Sequence, residues 1–110
     1  MTALEILKQA RKNLARGWCQ GSFGQDARGL RLDAVDIRHA TKVCIKGAIL
    51  KTSAIGPAKE ESLAMMLVVE QCRLKDPRYD TIAGFNDSED RTQEECLEVF
   101  DAAIRELEEQ

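Results

Sequence analysis

The sequence predicts a mainly α-helical protein, a single four-helix domain built around a buried central helix, and it leaves room for one short β-hairpin. Apolar residues recur at three- and four-residue steps in several segments, as on amphipathic helices. The stretch 41–50 is apolar around most of a helical wheel, which is typical of a buried helix. The 110 residues are enough for one core without metal or disulfides, so residues 1–110 should form one domain.

The first helix is predicted over residues 3–15. Leu4, Leu7 and Leu14 lie on one side of it, with basic residues on the other. Gly17 follows, and we interpret it as a left-handed cap at the helix end.

Residues 17–32 lose the helical period and contain four glycines. Asp26 followed by Gly29 is a turn signal, and Leu30 alternates with Leu32, so a short hairpin is predicted here.

The central helix is predicted over residues 34–53, with Asp33 as its N-cap. Gly47 lies in its middle, where a glycine costs about 1 kcal/mol relative to alanine. We therefore expect another backbone to approach the helix closely at this point.

The third helix is predicted over residues 57–75, after a break at Gly56-Pro57. Its core-facing side should carry Leu63, Met66, Leu67, Val69 and Leu74. Apolar residues outside that side would suit the seam of a homodimer, namely Met65, Val68 and Val69.

The fourth helix is predicted over residues 92–108, where Thr92 and Glu95 match a capping box. Before it, residues 77–91 form a second irregular segment with a turn at Asn86-Asp87. Both irregular segments should pack on one end of the bundle.

Composition favours a soluble protein. Apolar residues make up 44% and charged residues 32% of the chain. No apolar run approaches the roughly 20 residues that span a bilayer, and the amphipathic N-terminus is unlike a secretion signal. We therefore expect a cytoplasmic protein that does not bind membranes.

The four cysteines are widely separated and the chain has one histidine. Metal sites readable from sequence need ligands at short spacing, which this chain lacks. We expect reduced thiols and neither metal nor cofactor. Cys44, Cys72 and Cys96 fall on apolar helix faces, where a thiol acts as a small hydrophobe.

Charge is unevenly distributed along the chain. Residues 1–59 carry a net charge of +7 and residues 60–110 a net charge of −10. The simpler interpretation is that basic N-terminal helices face the acidic C-terminal helix. The alternative is a basic surface for an anionic partner.

Five short motifs, in this order, resemble an uncharacterised bacterial and phage domain family. They are Gly17-Trp18-Cys19-Gln20-Gly21, Asp26-Ala27-Arg28-Gly29, Cys44-Ile45-Lys46-Gly47-Ala48, Asn86-Asp87 and Arg91-Thr92. The sequence differs from the family in having Val43, where the family would place an aromatic residue. The resemblance implies no activity, but it does imply a phage- or defence-related accessory role.

One candidate site is catalytic. Cys19, His39 and either Asn86 or Asp87 are the residue types of a cysteine nucleophile, its base and an orienting group. These types also recur by chance, and the sequence contains no local nucleophile motif. A cysteine-dependent enzyme is therefore an alternative hypothesis.

A second candidate site is a set of phosphate contacts. Basic residues spaced four apart form a stripe on the predicted central helix, and further basic residues extend it, which suggests nucleic-acid binding. Two observations oppose nucleic-acid binding. The helix should be buried, and the sequence contains no recognisable nucleic-acid-binding motif. The candidates are Arg28, Arg31, Arg38, Lys42, Lys46 and Lys51.

A third candidate site is an aromatic concavity for a small ligand or a protein partner, formed if the two irregular segments meet. The competing interpretation is a lid that completes the core. The residues concerned are Trp18, Phe23, Tyr79, Phe85 and Asn86.

We favour a small non-enzymatic module that binds a protein or a small ligand, because no polar cluster converges in the sequence. A nucleic-acid-binding protein that uses the basic N-terminal half is the first alternative.

Overall fold

A computed structural model describes residues 1–53 and 58–110, and it confirms a mainly helical fold with a small sheet. The helices are α1 (Ala3–Arg16), α2 (Ile45–Ser53), α3 (Ala58–Lys75), α4 (Ile82–Asn86) and α5 (Gln93–Glu108), with a 3₁₀ helix over Ala34–His39. The strands are β1 (Gly24–Gln25), β2 (Arg31–Leu32) and β3 (Lys42–Val43). The predicted break at Gly56-Pro57 lies outside the described residues.

The predicted first, third and fourth helices correspond to α1, α3 and α5. Capping boxes begin α1 at Thr2 and α5 at Thr92, the second as predicted. α1 packs against α2 and α5, while α3 packs against α1 and α5. Within the described ranges, none of the helices combines the length and apolar character that crossing a bilayer requires.

The central segment is buried as predicted. Val43, Ile45 and Ile49 have almost no exposed surface. A Cβ atom placed on Gly47 would lie 1.9 Å from the carbonyl oxygen of Phe23. The glycine therefore marks a close backbone approach, since the loop before β1 lies directly against α2.

The prediction of one continuous helix over residues 34–53 is wrong. The chain forms a 3₁₀ helix, becomes extended at Ala40, pairs as β3 and only then begins α2. Backbone groups of β3 form hydrogen bonds with β1 rather than within a helix. Gly24 makes this possible, because a Cβ atom there would lie 2.8 Å from the Cβ of Ala40.

The predicted hairpin is present and belongs to an antiparallel sheet with strand order β2-β1-β3. One carboxylate oxygen of Asp26 accepts hydrogen bonds from the backbone N–H groups of Arg28 and Leu30. Gly29 completes the turn with a φ of 86°, a left-handed conformation that favours glycine.

Two predicted helix caps are wrong. Gly17 has a φ of 178°, so it is extended rather than left-handed. Its lack of a side chain matters because a Cβ atom would lie 2.6 Å from the carbonyl oxygen of Thr41. Asp33 precedes the 3₁₀ helix, but its side chain makes no capping hydrogen bond.

The predicted faces of α3 also need correction. Leu63, Met66 and Leu74, which were expected in the core, are exposed. Val68 is fully buried, whereas Met65 and Val69 are half-buried beside the core, so Val68 is not available to a dimer seam and the homodimer itself stays a prediction. The helix is rotated relative to the prediction, because its most buried positions are Ala64, Leu67, Val68 and Cys72.

Two ion pairs join α1 to α5. Lys8 pairs with Glu108, and Arg11 pairs with Asp101. The basic N-terminal helix therefore does face the acidic C-terminal helix, as the simpler interpretation of the charge distribution predicts.

Gly47→Ala tests the close approach at α2. Helix propensity alone would stabilise the protein by about 1 kcal/mol. The contact with Phe23 predicts the opposite sign, a loss of about 1–3 kcal/mol, because the backbone has to move. Urea denaturation measures the difference. Lys59→Ala, at an exposed position of α3, is the control and should change stability little. A Gly47→Ala variant more stable than the wild type would contradict the packing.

Candidate functional site

The two irregular segments meet around the side chain of Asn86, which is fully buried. Its Oδ1 atom accepts hydrogen bonds from Trp18 Nε1 at 2.9 Å and from the backbone N–H of Ile45 at 3.1 Å. Its Nδ2 atom donates to the carbonyl oxygen of Cys19 and to Asp87 Oδ1. One amide thus joins the segment after α1, the start of α2 and the end of α4.

Neighbouring groups reinforce this junction. Gln20 Nε2 donates to the carbonyl oxygens of Asn86 and Ser88, at 3.0 and 2.8 Å. The backbone N–H of Gly21 donates to Asp87 Oδ1. The polar atoms around Asn86 are therefore engaged with each other, which holds the two irregular segments together.

A second polar cluster lies around the buried Arg91. Its guanidinium lies 3.6 Å from the centre of the Phe85 ring and donates to the Phe85 carbonyl oxygen and to Asp76. Hydrogen bonds from Arg78 and Arg91 hold the pKa of the Asp76 carboxyl well below its usual range. This cluster attaches the end of α3 to the start of α5.

The predicted aromatic concavity is only partly open. Trp18, Phe23 and Tyr79 are half-buried and pack against the core, whereas Phe85 and Asn86 have no exposed surface. A partner could contact the first three, but it would reach Phe85 and Asn86 only through their neighbours.

The structure places Cys19 close to Asn86 and Asp87, as the catalytic hypothesis needs. His39 lies elsewhere, exposed on the 3₁₀ helix, and accepts a hydrogen bond from Arg38 Nε. Burial raises the pKa of the Cys19 thiol, and a protonated thiol is a poor nucleophile.

The other three thiols are also buried and free. Burial raises the pKa of Cys44 to about 11 and the pKa values of Cys72 and Cys96 to about 12. Within residues 1–53 and 58–110, no three His, Cys, Asp or Glu side chains converge as metal ligands would.

The predicted phosphate contacts are exposed, except for the half-buried Lys51, and they divide into groups. Arg31 and Lys42 lie on β2 and β3, on either side of Gln25. Arg28 lies in the hairpin turn near Asp26. Lys46 belongs to α2 instead, where its ammonium lies 5.8 Å from the centre of the Phe23 ring.

A groove of about 720 Å³ lies between α2, α3 and the start of α4. Residues one helical turn apart form its long wall on α3, in the order Glu61, Met65, Val69 and Arg73. The apolar floor consists of Leu50, Met65, Val69, Ile82 and Ala83, and charged residues border it, namely Lys46, Glu61, Arg73 and Asp80.

The charges along the groove are ordered. Arg73 donates to the carbonyl oxygen of Asp80, which places this cation at the α4 end. Lys46 also borders a small notch of about 160 Å³ beside α4. Glu61 lies three helical turns from Arg73, towards the other end of α3. This groove was not predicted from the sequence. The pattern that indicates it is a pair of apolar residues flanked by charged residues at four-residue steps.

Comparison with known proteins identifies a family. The model of DUF6197, a family of unknown function, matches residues 1–106. No curated protein and no solved structure gives a significant match. The resemblance to an uncharacterised family is thus confirmed, while the bacterial or phage origin stays a prediction.

Asn86→Ala should lower the free energy of unfolding by about 3–5 kcal/mol, because it leaves buried donors and an acceptor without partners. Urea denaturation followed by Trp18 fluorescence measures this. Asp87→Ala is the matched control and should lose about 1 kcal/mol, since Asp87 is exposed. Equal losses in the two variants would show that Asn86 is not the main junction.

Thiol reactivity tests the catalytic alternative. With a pKa of about 11, Cys44 holds at least about 100-fold less thiolate at neutral pH than a free cysteine. In the native protein, all four thiols should react with a disulfide reagent far more slowly than free cysteine, and in urea all should react quickly. A fast reaction of native Cys19 would instead support the nucleophile hypothesis.

Proposed function

This chain belongs to the DUF6197 family of unknown function, and from its geometry we propose that it is a non-enzymatic binding module. The groove between α2, α3 and α4 is the site, and its occupant is an amphipathic peptide segment of a partner protein. The observation that carries this proposal is the apolar floor with ordered charges along one helix.

The length of the groove favours a peptide over a compact small molecule. Glu61 and Arg73 are twelve residues apart on α3, which corresponds to about 18 Å at a rise of 1.5 Å per residue. An extended peptide covers that distance with about five or six residues. Recognition of a peptide in a groove between helices is a common mode of protein binding.

The charges favour a particular peptide orientation. Glu61 lies towards one end, while Lys46, Arg73 and Asp80 lie towards α4, so that end carries two cations and one carboxylate. None of these four forms an ion pair with another described residue. The fitting segment has apolar side chains in the middle, a basic residue near Glu61 and an acidic residue near Arg73. Such complementarity sets orientation and specificity more than affinity.

Binding is favoured over catalysis because the described lining of the groove contains neither His nor Cys. The four buried free thiols support a cytoplasmic setting, where cysteines remain reduced. Only the motif resemblance supports a phage- or defence-related role.

A displayed library of random peptides tests the proposal. Selection with peptides of about 12 residues should enrich amphipathic sequences with the charge order described above. Amide chemical shifts of the protein should change at α2, α3 and α4 when a selected peptide is added. Met65→Glu should weaken binding of that peptide at least about tenfold, because it places a charge on the apolar floor.

Met66→Glu is the matched control. Met66 is the adjacent residue of the same type, but it is 68% exposed and does not line the groove. The Met66→Glu variant should bind the peptide with the same affinity as the wild type. A library that yields no binders, or binders that are unaffected by Met65→Glu, would overturn the proposal.

A further inference from the structure

The outer face of the small sheet carries a row of polar side chains. Residues directly opposite each other on paired strands point to the same side of a sheet. Gln25 is opposite both Arg31 and Lys42, so these three side chains share one face. Arg31 and Lys42 are exposed and lie two strands apart, about 10 Å between their backbones.

A cationic cavity adjoins this row. It has a volume of about 310 Å³, and its described lining contains Arg16 and Lys51 but no carboxylate. Lys42 lies against the end of α1, since a Cβ atom placed on Gly17, next to Arg16, would lie 2.9 Å from Lys42 Cγ. Lys51 Nζ donates to the carbonyl oxygen of Ala40, which leaves two of its three N–H donors for other partners.

We call Arg31, Lys42, Arg16 and Lys51 the cationic strip. None of the four forms an ion pair with another described residue, in contrast to Lys8 and Arg11 on the α5 side of α1. The carboxylate of Asp26, next to β1, is occupied by the hairpin turn and Arg28. Asp33, which follows β2, is exposed and is the acidic group nearest in sequence to Arg31.

We propose that the cationic strip is a contact surface for the phosphate backbone of nucleic acid, separate from the peptide groove. Charge complementarity carries this inference: several unpaired cations over an exposed face suit a polymer with regularly repeated phosphates. The strip consists of Lys and Arg side chains on two short strands and at the ends of α1 and α2, so it contacts the phosphate backbone and reads no base sequence.

An anionic membrane suits the same face less well. The exposed apolar residues nearby are Leu30, beside Arg31, and Val35, which is flanked in the 3₁₀ helix region by Asp33 and Asp36. Insertion of Val35 into a bilayer would carry these carboxylates towards the headgroups, where negative charge repels them.

Fluorescence anisotropy with a labelled single strand and a duplex, each of about 20 nucleotides or base pairs, tests the proposal. The wild-type protein should bind both at about 20 mM salt, and affinity for the duplex should fall with a log–log salt slope of about −3 to −4, as four phosphate contacts predict. Arg31→Glu combined with Lys42→Glu should weaken binding at least about tenfold and reduce the magnitude of the slope by about 2.

The matched control is Lys59→Glu combined with Arg105→Glu, which makes the same change in net charge at exposed positions of α3 and α5. It should weaken binding by no more than about threefold, the effect of net charge alone. Absence of wild-type binding at low salt, or an equal loss in the control, would overturn the proposal. Binding to vesicles rich in phosphatidylserine but to neither nucleic acid would also overturn it.

Discussion

The structure depends on one buried amide. Asn86 Oδ1 accepts from an indole N–H and from the first backbone N–H of α2, while Nδ2 donates to a carbonyl oxygen of the preceding irregular segment. Each of these groups would lack a partner in the dry interior without Asn86, at a cost of about 1–3 kcal/mol for each group. Asparagine suits this position because it both donates and accepts. Three of the five motifs, those that contain Trp18, Ile45 and Asn86, therefore meet at a structural junction, and functional surfaces have to be sought outside it.

Charge has two different roles in this molecule. Between α1 and α5, and around Arg91, opposite charges pair and join helices that are distant in sequence. On the sheet face and in the groove, charged side chains that are exposed or, like Glu61, half-buried have no ion-pair partners among the described residues. Exposed ion pairs contribute little stability, so evolution can vary them without loss of the fold. The unpaired charges, by contrast, require either solvent or a partner, which is why both proposals start from them.

The sequence predicted the parts of the fold that local chemistry determines. Helical periodicity located α1, α3 and α5, and Thr92 with Glu95 marked the start of α5. The glycine at position 47 indicated a close approach, although not that Phe23 makes it. The break before α2 was not predictable, because β3 is stabilised by pairing with Gly24 and Gln25, far away in sequence.

The candidate sites were harder to predict for the same reason. The groove depends on the rotation of α3, and the apolar residues of that helix are distributed around it, so periodicity does not select the buried side. The sequence identified the individual basic residues, but it did not predict which of them lie together in the structure. Strand register separates Arg31 and Lys42 from Lys46, and register depends on tertiary pairing.

The position of the Asn86 junction has a consequence for synthesis of the protein on the ribosome. Trp18, Cys19 and Ile45 lie 68, 67 and 41 residues before their shared partner. When the N-terminal half leaves the exit tunnel, Asn86 is still inside the ribosome, so its partners in that half stay hydrated. We therefore expect the fold to be completed late, because these contacts require the closure of long chain loops. Nascent chains shortened before residue 86 would expose the apolar face of α2 and become clients of chaperones.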